Sequence, residues 1–183
     1  MELTTRIEQK ASDATKLEAF SYVDLYGIKE GVAKLLEFIG KDCIFDEYTR
    51  HDISHINKLL EIVEWIIPAT TFSKLTMADC LMLTLAVYFH DLGVVVTREE
   101  YERRHESRFP EFKKTVFDGD QGKDYNEKVA KMPEGEAARF LYQEFVRRHH
   151  AERIRRRISG KSKGDLGIAD RVISEVHQLL KRA

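Results

Sequence analysis

Apolar residues recur every three or four positions along most of the chain, which is the spacing of one face of an α-helix. Strict alternation is not sustained for more than a few residues, so strands are not indicated. Trp65, as a large aromatic residue, is assigned to the core. We therefore predict an all-α protein, with a polar first helix between residues 3 and 20 and further helices over 24–40, 56–67, 76–92, 97–108, 134–158 and 168–180.

The most apolar segment, CLMLTLAVYFHDLG at 80–93, ends in an adjacent histidine and aspartate. It is too apolar on all sides for a surface helix, so we expect a central, buried helix. Thr76, with Asp79 three positions later, resembles a capping box and predicts where this helix begins. An unpaired buried carboxylate is costly, whereas a carboxylate beside an imidazole offers two metal ligands. His90 and Asp91 therefore predict a metal site.

The length and charge of the chain limit what it can be. With 183 residues it suits one well-developed core, so we predict a single domain over 1–183. A formal net charge of −1 gives no overall attraction to nucleic acid or to an acidic membrane. Two cysteines do not make a disulfide framework, and the N-terminus lacks the apolar core of a signal peptide. We expect a cytoplasmic protein without a membrane partner, since no run reaches the roughly 18 apolar residues of a membrane span.

Other histidines share faces with the apolar stripes. His55, His150 and His177 each lie four residues from an apolar position on a different predicted helix, so all three are expected to face the core. A single inward histidine is more often a core residue with one hydrogen bond. Three of them beside a buried His-Asp pair favour a shared metal, because imidazole and carboxylate suit Mn, Fe, Ni, Co or Zn.

The segments TRHDISHINKLLEIVEWI and LTLAVYFHDLG together resemble the HD superfamily of metal-dependent phosphohydrolases, in which a histidine is followed some tens of residues later by a His-Asp pair. FVRRHHAERI and ADRVISEVHQLL are similar to the extra histidine segments of members that hold two metals. The resemblance runs from about Tyr48 to His177. It implies a compact multi-helix bundle around the helix at 76–92.

The resemblance also implies one or two divalent transition metal ions. The implied ligands of the first ion are His55, His90 and Asp91, and Asp91 would bridge to a second ion. The further ligands implied for the second ion are His150, or His149 in its place, and His177.

The family pattern has one more aspartate on a later helix, whereas this sequence ends six residues after His177. Asp170 is the only late acid in a predicted helix. Three explanations stay open: the sequence is the N-terminal fragment of a longer protein, the metal shell is incomplete, or Asp170 substitutes. We favour the fragment, which implies a further domain C-terminal to this chain.

The implied reaction is hydrolysis of a phosphoester or nucleotide by a metal-activated water, with Asp91 or an unassigned acid as the candidate proton acceptor. A phosphorylated small molecule or nucleotide would be bound by side chains near the histidines in sequence, for which the candidates are Arg104, His105, Arg148 and Arg153. The competing interpretation of these residues is a solvated helix face. The alternative function is a catalytically silent HD-type regulatory or nucleotide-binding module attached to another domain.

The most basic stretch of the chain runs from 153 to 163. Its arginines and lysines are suited to contacting a nucleic-acid backbone. No aromatic residues are interleaved with them, so stacking on single strands is not indicated. Nucleic acid is therefore a less favoured partner than a neighbouring domain or solvent.

Overall fold

The computed structural model describes residues 2–41, 52–118 and 122–159. Within these ranges the regular structure is helical, which confirms the all-α prediction. The α-helices are α1 (Arg6–Ser12), α2 (Leu25–Lys41), α3 (Ile53–Ile66), α4 (Ala69–Phe72), α5 (Met77–Phe89), α6 (Arg98–Glu102), α7 (Phe109–Thr115), α8 (Gly122–Ala130) and α9 (Glu134–Ser159). Short 3₁₀ turns cover Asp13–Lys16, Glu18–Phe20, His90–Val94 and Arg104–Glu106. The helix predicted over 168–180 lies outside the described residues.

Polar side chains cap the helices that lead to the site. The Asp52 carboxylate accepts hydrogen bonds from the first backbone N–H groups of α3, including that of His55. Thr76 and Asp79 form the reciprocal capping box at the start of α5. Thr97 caps α6, with its hydroxyl accepting from the backbone N–H of the third residue of the helix. The start of α5 confirms the sequence prediction.

The region between α6 and α9 differs from the prediction. The helix expected over 97–108 ends at Glu102 and is followed by a 3₁₀ turn. Pro110 lies in the first turn of α7, where its missing N–H costs no hydrogen bond. α8 begins at Gly122, in a segment where no helix is predicted, because Tyr125 and Val129 are its only large apolar residues.

Two hydrophobic cores meet at the 3₁₀ turn His90–Val94, which we name the His-Asp turn. One core is built from α1, α2, α3 and α5 and includes Leu92 and Val95. The other is built mainly from α7, α8 and α9 and includes Val94 and Val96. α9 packs extensively against the His-Asp turn. The segment that follows the central helix is therefore fixed from both sides.

α5 is less completely enclosed than its sequence predicts. Cys80, Thr84 and Tyr88 are buried on one face, whereas Met82 on the opposite face is 61% exposed. The 18-residue window Met77–Val94 is long and apolar enough to match a membrane span in composition, but half of it is buried inside the protein. Since the core helix of a globular protein meets the same test, this match carries no argument for a membrane.

The assignment of Trp65 to the core is wrong. The side chain is 85% exposed, and its neighbour Ile66 is 62% exposed. The fully buried residues of α3, Ile56 and Leu60, lie within the first eight residues of this helix. The apolar stripe of this helix thus extends beyond the part of the helix that the core covers.

A buried ion pair joins α1 to the rest of the first core. The Lys29 ammonium on α2 and the Glu8 carboxylate on α1 are wholly buried and lie 2.7 Å apart. The Tyr88 hydroxyl on α5 donates to the same Glu8 oxygen at 2.6 Å, and the Thr5 backbone N–H donates to the other oxygen at 3.0 Å. Burial raises the pKa of Glu8, but these hydrogen bonds outweigh it and the pKa is lowered. The polar N-terminal segment is therefore part of the core.

Replacing Glu8→Gln should lower the free energy of unfolding by about 3 to 5 kcal/mol at pH 7, because Lys29 is left buried without its counter-charge. Since the pKa of Glu8 is lower in the folded protein, this stabilisation is present above the ordinary value of 4.5 and is lost as the pH falls through the folded pKa. The difference between wild type and variant should therefore shrink at low pH.

Urea denaturation at pH 7 and at progressively lower pH measures this difference. Glu18→Gln is the matched control, because Glu18 is exposed and its replacement should change stability by less than about 0.5 kcal/mol. Equal stability of the Glu8→Gln variant and the wild type at pH 7 would contradict the assignment.

Candidate metal centre

Three ligand side chains converge where α3 begins and α5 ends. His55 lies in the first turn of α3, His90 is the C-cap of α5, and Asp91 follows it in the His-Asp turn. The Nε2 of His55 lies 3.3 Å from Asp91 Oδ2, and the Nε2 of His90 lies 3.0 Å from Asp91 Oδ1. Each residue offers one ligand atom, and these atoms all lie within 4.8 Å of one another. The residues predicted to bind the first ion are thus brought together.

The Asp91 carboxylate lies between the two imidazoles, with one oxygen facing each ring. Its side chain is 11% exposed, whereas those of His55 and His90 are 37% and 34% exposed. The two rings lie 5.7 Å apart between centroids and are tilted by 35°. The cluster is therefore anchored by a buried carboxylate and open to solvent on its histidine side, which leaves access for an ion and a small ligand.

The backbone fixes the orientation of the His90 ring. Its Nδ1 lies 2.6 Å from the Val87 carbonyl oxygen, which can only accept a hydrogen bond, so Nδ1 carries a proton. The Nε2 is then directed to Asp91. Burial lowers the pKa of His90, but the hydrogen bonds with Asp91 and Val87 outweigh it and the pKa is raised. A carbonyl partner on the remote nitrogen is the usual support for a metal-binding histidine.

The donor set fits a divalent transition metal. Two imidazole nitrogens and a carboxylate oxygen suit Zn, Mn, Fe, Co or Ni, and a set of three protein ligands leaves coordination positions for water or substrate. Among the residues that the structure describes, this is the one such group of histidine, cysteine and acidic side chains. It therefore corresponds to the candidate centre that the sequence predicts.

The prediction that the His150 side chain faces the core is wrong. It is exposed, and its Nδ1 lies 2.7 Å from the Arg147 carbonyl oxygen of the same helix. The backbone of α9 fills this position instead: a Cβ placed on Gly93 would lie 2.1 Å from the His150 carbonyl oxygen. The close approach of the backbone leaves no room for the imidazole between α9 and the His-Asp turn.

His149, the alternative to His150, is partly buried among aromatic rings. Its ring centroid lies 4.5 Å from that of Phe145 and 6.3 Å from that of Phe112, and its Nδ1 contacts the Phe145 carbonyl oxygen at 2.7 Å. Neither His149 nor His150 belongs to the cluster formed by the described ligand atoms. Their role at a second ion stays a prediction, and His177 lies outside the described residues.

Three of the predicted substrate-binding residues lie at the surface or partly buried. The Arg104 guanidinium stacks over the Tyr101 ring at 4.1 Å from its centroid. His105 is 71% exposed and lies beside Glu106. Arg148 is exposed and flanked by aromatic rings, with its guanidinium 5.4 Å from the centroid of Tyr125. Their contact with a phosphorylated ligand stays a prediction.

Arg153 is not available as a substrate-binding residue, so that prediction is wrong. Its side chain is wholly buried and forms an ion pair with the equally buried Glu100. Its guanidinium also donates to the carbonyl oxygens of Gly93 and Val95 at 2.7 and 2.8 Å. Arg157, one turn later, is buried as well and donates to carbonyl oxygens of the same segment. The basic stretch thus contributes two of its arginines to the interior.

The structural role of these two arginines was missed because charged residues are normally assigned to the surface. Their positions in the helical repeat of α9 nevertheless indicate that they are buried. Arg153 lies seven residues after the buried Val146, which is two helical turns, and Arg157 follows four residues later. Both therefore continue the inner stripe of α9.

A helical protein in which a helix-terminal His-Asp pair meets a histidine from an earlier helix has the architecture of an HD-type domain. The family model HD-CE matches residues 45–181, which is most of the chain. The protein therefore belongs to the HD-CE family. No curated protein and no solved structure matches the sequence.

Alanine at any one of His55, His90 and Asp91 should weaken Co²⁺ binding by more than about 100-fold. Replacing a residue that only orients a metal ligand already lowers metal affinity by about 10- to 100-fold, and these three residues are the ligands themselves. Isothermal titration calorimetry, with CoCl₂ added to the metal-free protein, measures the Co²⁺ affinity. His105→Ala is the control, because this exposed histidine lies outside the cluster. Retention of wild-type affinity by a folded Asp91→Ala variant would rule out the site.

Proposed function

We propose that the protein is a metal-dependent hydrolase that cleaves a phosphoester or a nucleotide. The observation that carries this proposal is the His55–His90–Asp91 cluster, whose carboxylate is buried while its histidine side is open to solvent. When bound there, a divalent metal lowers the pKa of a coordinated water and supplies positive charge next to phosphoryl oxygens. The protein must then hold the ligands, position the substrate and accept a proton.

Asp91 is the proposed proton acceptor as well as a ligand. Each of its oxygens faces one imidazole at 3.0 or 3.3 Å, so one oxygen can remain in place while the other takes a proton from water. His55 and His90 hold the ligand nitrogens on the open side. The hydrogen bond of His90 to the Val87 carbonyl keeps its Nε2 turned towards Asp91 and not towards solvent.

Arg148 and Arg104 are the proposed phosphate-binding residues, with His105 as a further candidate. The aromatic neighbours of each arginine restrict its conformations, so less side-chain entropy is lost when a phosphate binds. Burial of Arg153 and Arg157 removes two positive charges from the surface of the basic stretch. This supports a small phosphorylated substrate over a nucleic-acid backbone.

A catalytically silent regulatory or nucleotide-binding module is the second candidate. It is favoured by the absence of His149 and His150 from the cluster of described ligand atoms, since a two-metal reaction needs further ligands near Asp91. In this case the centre would bind a metal and a nucleotide without turnover. Another domain would then use the binding event.

Hydrolysis of bis(4-nitrophenyl) phosphate and of a panel of nucleotides, with Mn²⁺, Co²⁺, Ni²⁺ or Zn²⁺ added, distinguishes the two candidates. We expect metal-dependent turnover that falls by at least about 1,000-fold in Asp91→Asn, because this variant loses both a ligand charge and the proton acceptor. His105→Ala tests the further substrate-binding candidate, and Glu18→Gln is the inert control.

A wild-type protein that binds metal and nucleotides tightly but cleaves none of the substrates would favour the silent module. Undiminished turnover by a folded Asp91→Asn variant would show that the reaction occurs elsewhere.

A further inference from the structure

The main-chain carbonyls that follow the His-Asp pair are held by two guanidinium groups. Arg153 donates to Gly93 O at 2.7 Å and to Val95 O at 2.8 Å. Arg157 donates to Leu92 O and, at 2.6 Å, to Val95 O. Both side chains are wholly buried and project from the same face of α9. We name them the buried arginine pair.

These hydrogen bonds satisfy carbonyl groups at the end of the His-Asp turn. The last carbonyl groups of a helix have no partner within it, and a buried carbonyl without a partner is costly. Leu92 and Gly93 are themselves buried, so water does not readily serve this role. Charge-assisted hydrogen bonds from a guanidinium are about twice as strong as neutral ones, and its fork reaches two carbonyls at once.

Arg153 is in turn oriented by Glu100 of α6. The carboxylate and the guanidinium form a wholly buried ion pair, so the arginine cannot rotate away without leaving a buried charge unpaired. The turn also lies close to the backbone of α9, because a Cβ on Gly93 would lie 2.1 Å from the His150 carbonyl oxygen. The backbone of the turn is thus pressed against α9 and fixed there by the arginine pair.

We propose that Arg153 and Arg157 are positioning residues of the metal centre, which set its affinity by fixing the backbone immediately after His90 and Asp91. The inference rests on the metal site of the proposed function but not on hydrolysis. The two residues do not touch the metal or the substrate. They act by holding the Asp91 carboxylate where both histidines meet it.

Lysine substitutions test this role. Arg→Lys keeps the positive charge but replaces the planar guanidinium, whose N–H groups reach two carbonyl oxygens at once, with a single ammonium group. In the full chain, Arg157→Lys and Arg153→Lys should retain the far-ultraviolet circular dichroism of the wild type. Their Co²⁺ affinity should fall by about 10- to 100-fold, the range for residues that orient ligands, and the visible absorption spectrum of bound Co²⁺ should change.

Leu141→Ala is the matched control. Leu141 is 1% exposed on the same helix, and this truncation typically costs about 2 to 5 kcal/mol of stability. It should leave the Co²⁺ affinity and spectrum of the folded protein unchanged. If this variant loses affinity as much as the lysine variants do, general destabilisation explains the effect and the proposal is overturned. A folded lysine variant with affinity within twofold of wild type also overturns it.

If neither lysine variant folds, Glu100→Gln provides the second test. It leaves both arginines in place and removes the charge that orients Arg153. We expect weaker Co²⁺ binding and an altered spectrum, and wild-type values would overturn the proposal. A wild-type protein that binds Co²⁺ but hydrolyses nothing contradicts the proposed function alone, whereas one that binds no Co²⁺ contradicts the metal site and this inference together.

Discussion

The burial of the Asp91 carboxylate is the constraint on which the site depends. A carboxylate with 11% of its side chain exposed must be compensated, and here both oxygens face imidazole nitrogens from two different helices. Each compensating residue is fixed in its own way: His55 by the Asp52 cap of α3, and His90 by the Val87 carbonyl. The same arrangement that satisfies a buried charge also assembles three ligand atoms.

Two further buried ion pairs secure the surroundings of this carboxylate. Glu8 and Lys29 connect α1 and α2, and the Glu8 carboxylate also accepts from Tyr88, two residues before His90. Glu100 and Arg153 connect α6 and α9 to the backbone just after Asp91. Buried charges are weak evidence for stability, but they favour one arrangement because each alternative leaves a charge unpaired. The helix end that carries the His-Asp pair is therefore held from both cores.

The sequence predicts much of this fold because periodicity and capping act locally. Thr76 with Asp79 located the start of α5, and the His-Asp pair with an earlier histidine predicted the cluster. The errors arose where tertiary contacts decide. A backbone approach at Gly93 excludes the His150 side chain, and buried partners draw Arg153 into the interior. Neither a close backbone contact nor an internal ion pair leaves a hydrophobic signal in a one-dimensional pattern.

Anomalous diffraction from crystals grown with Co²⁺ tests the central claim most directly, because it locates the ion without reference to activity. The account predicts an ion at about 2.0 to 2.2 Å from the Nε2 atoms of His55 and His90 and from a carboxylate oxygen of Asp91. An ion bound at His149 or His150 with this cluster empty, or a protein that takes up no ion at saturating Co²⁺, would contradict it.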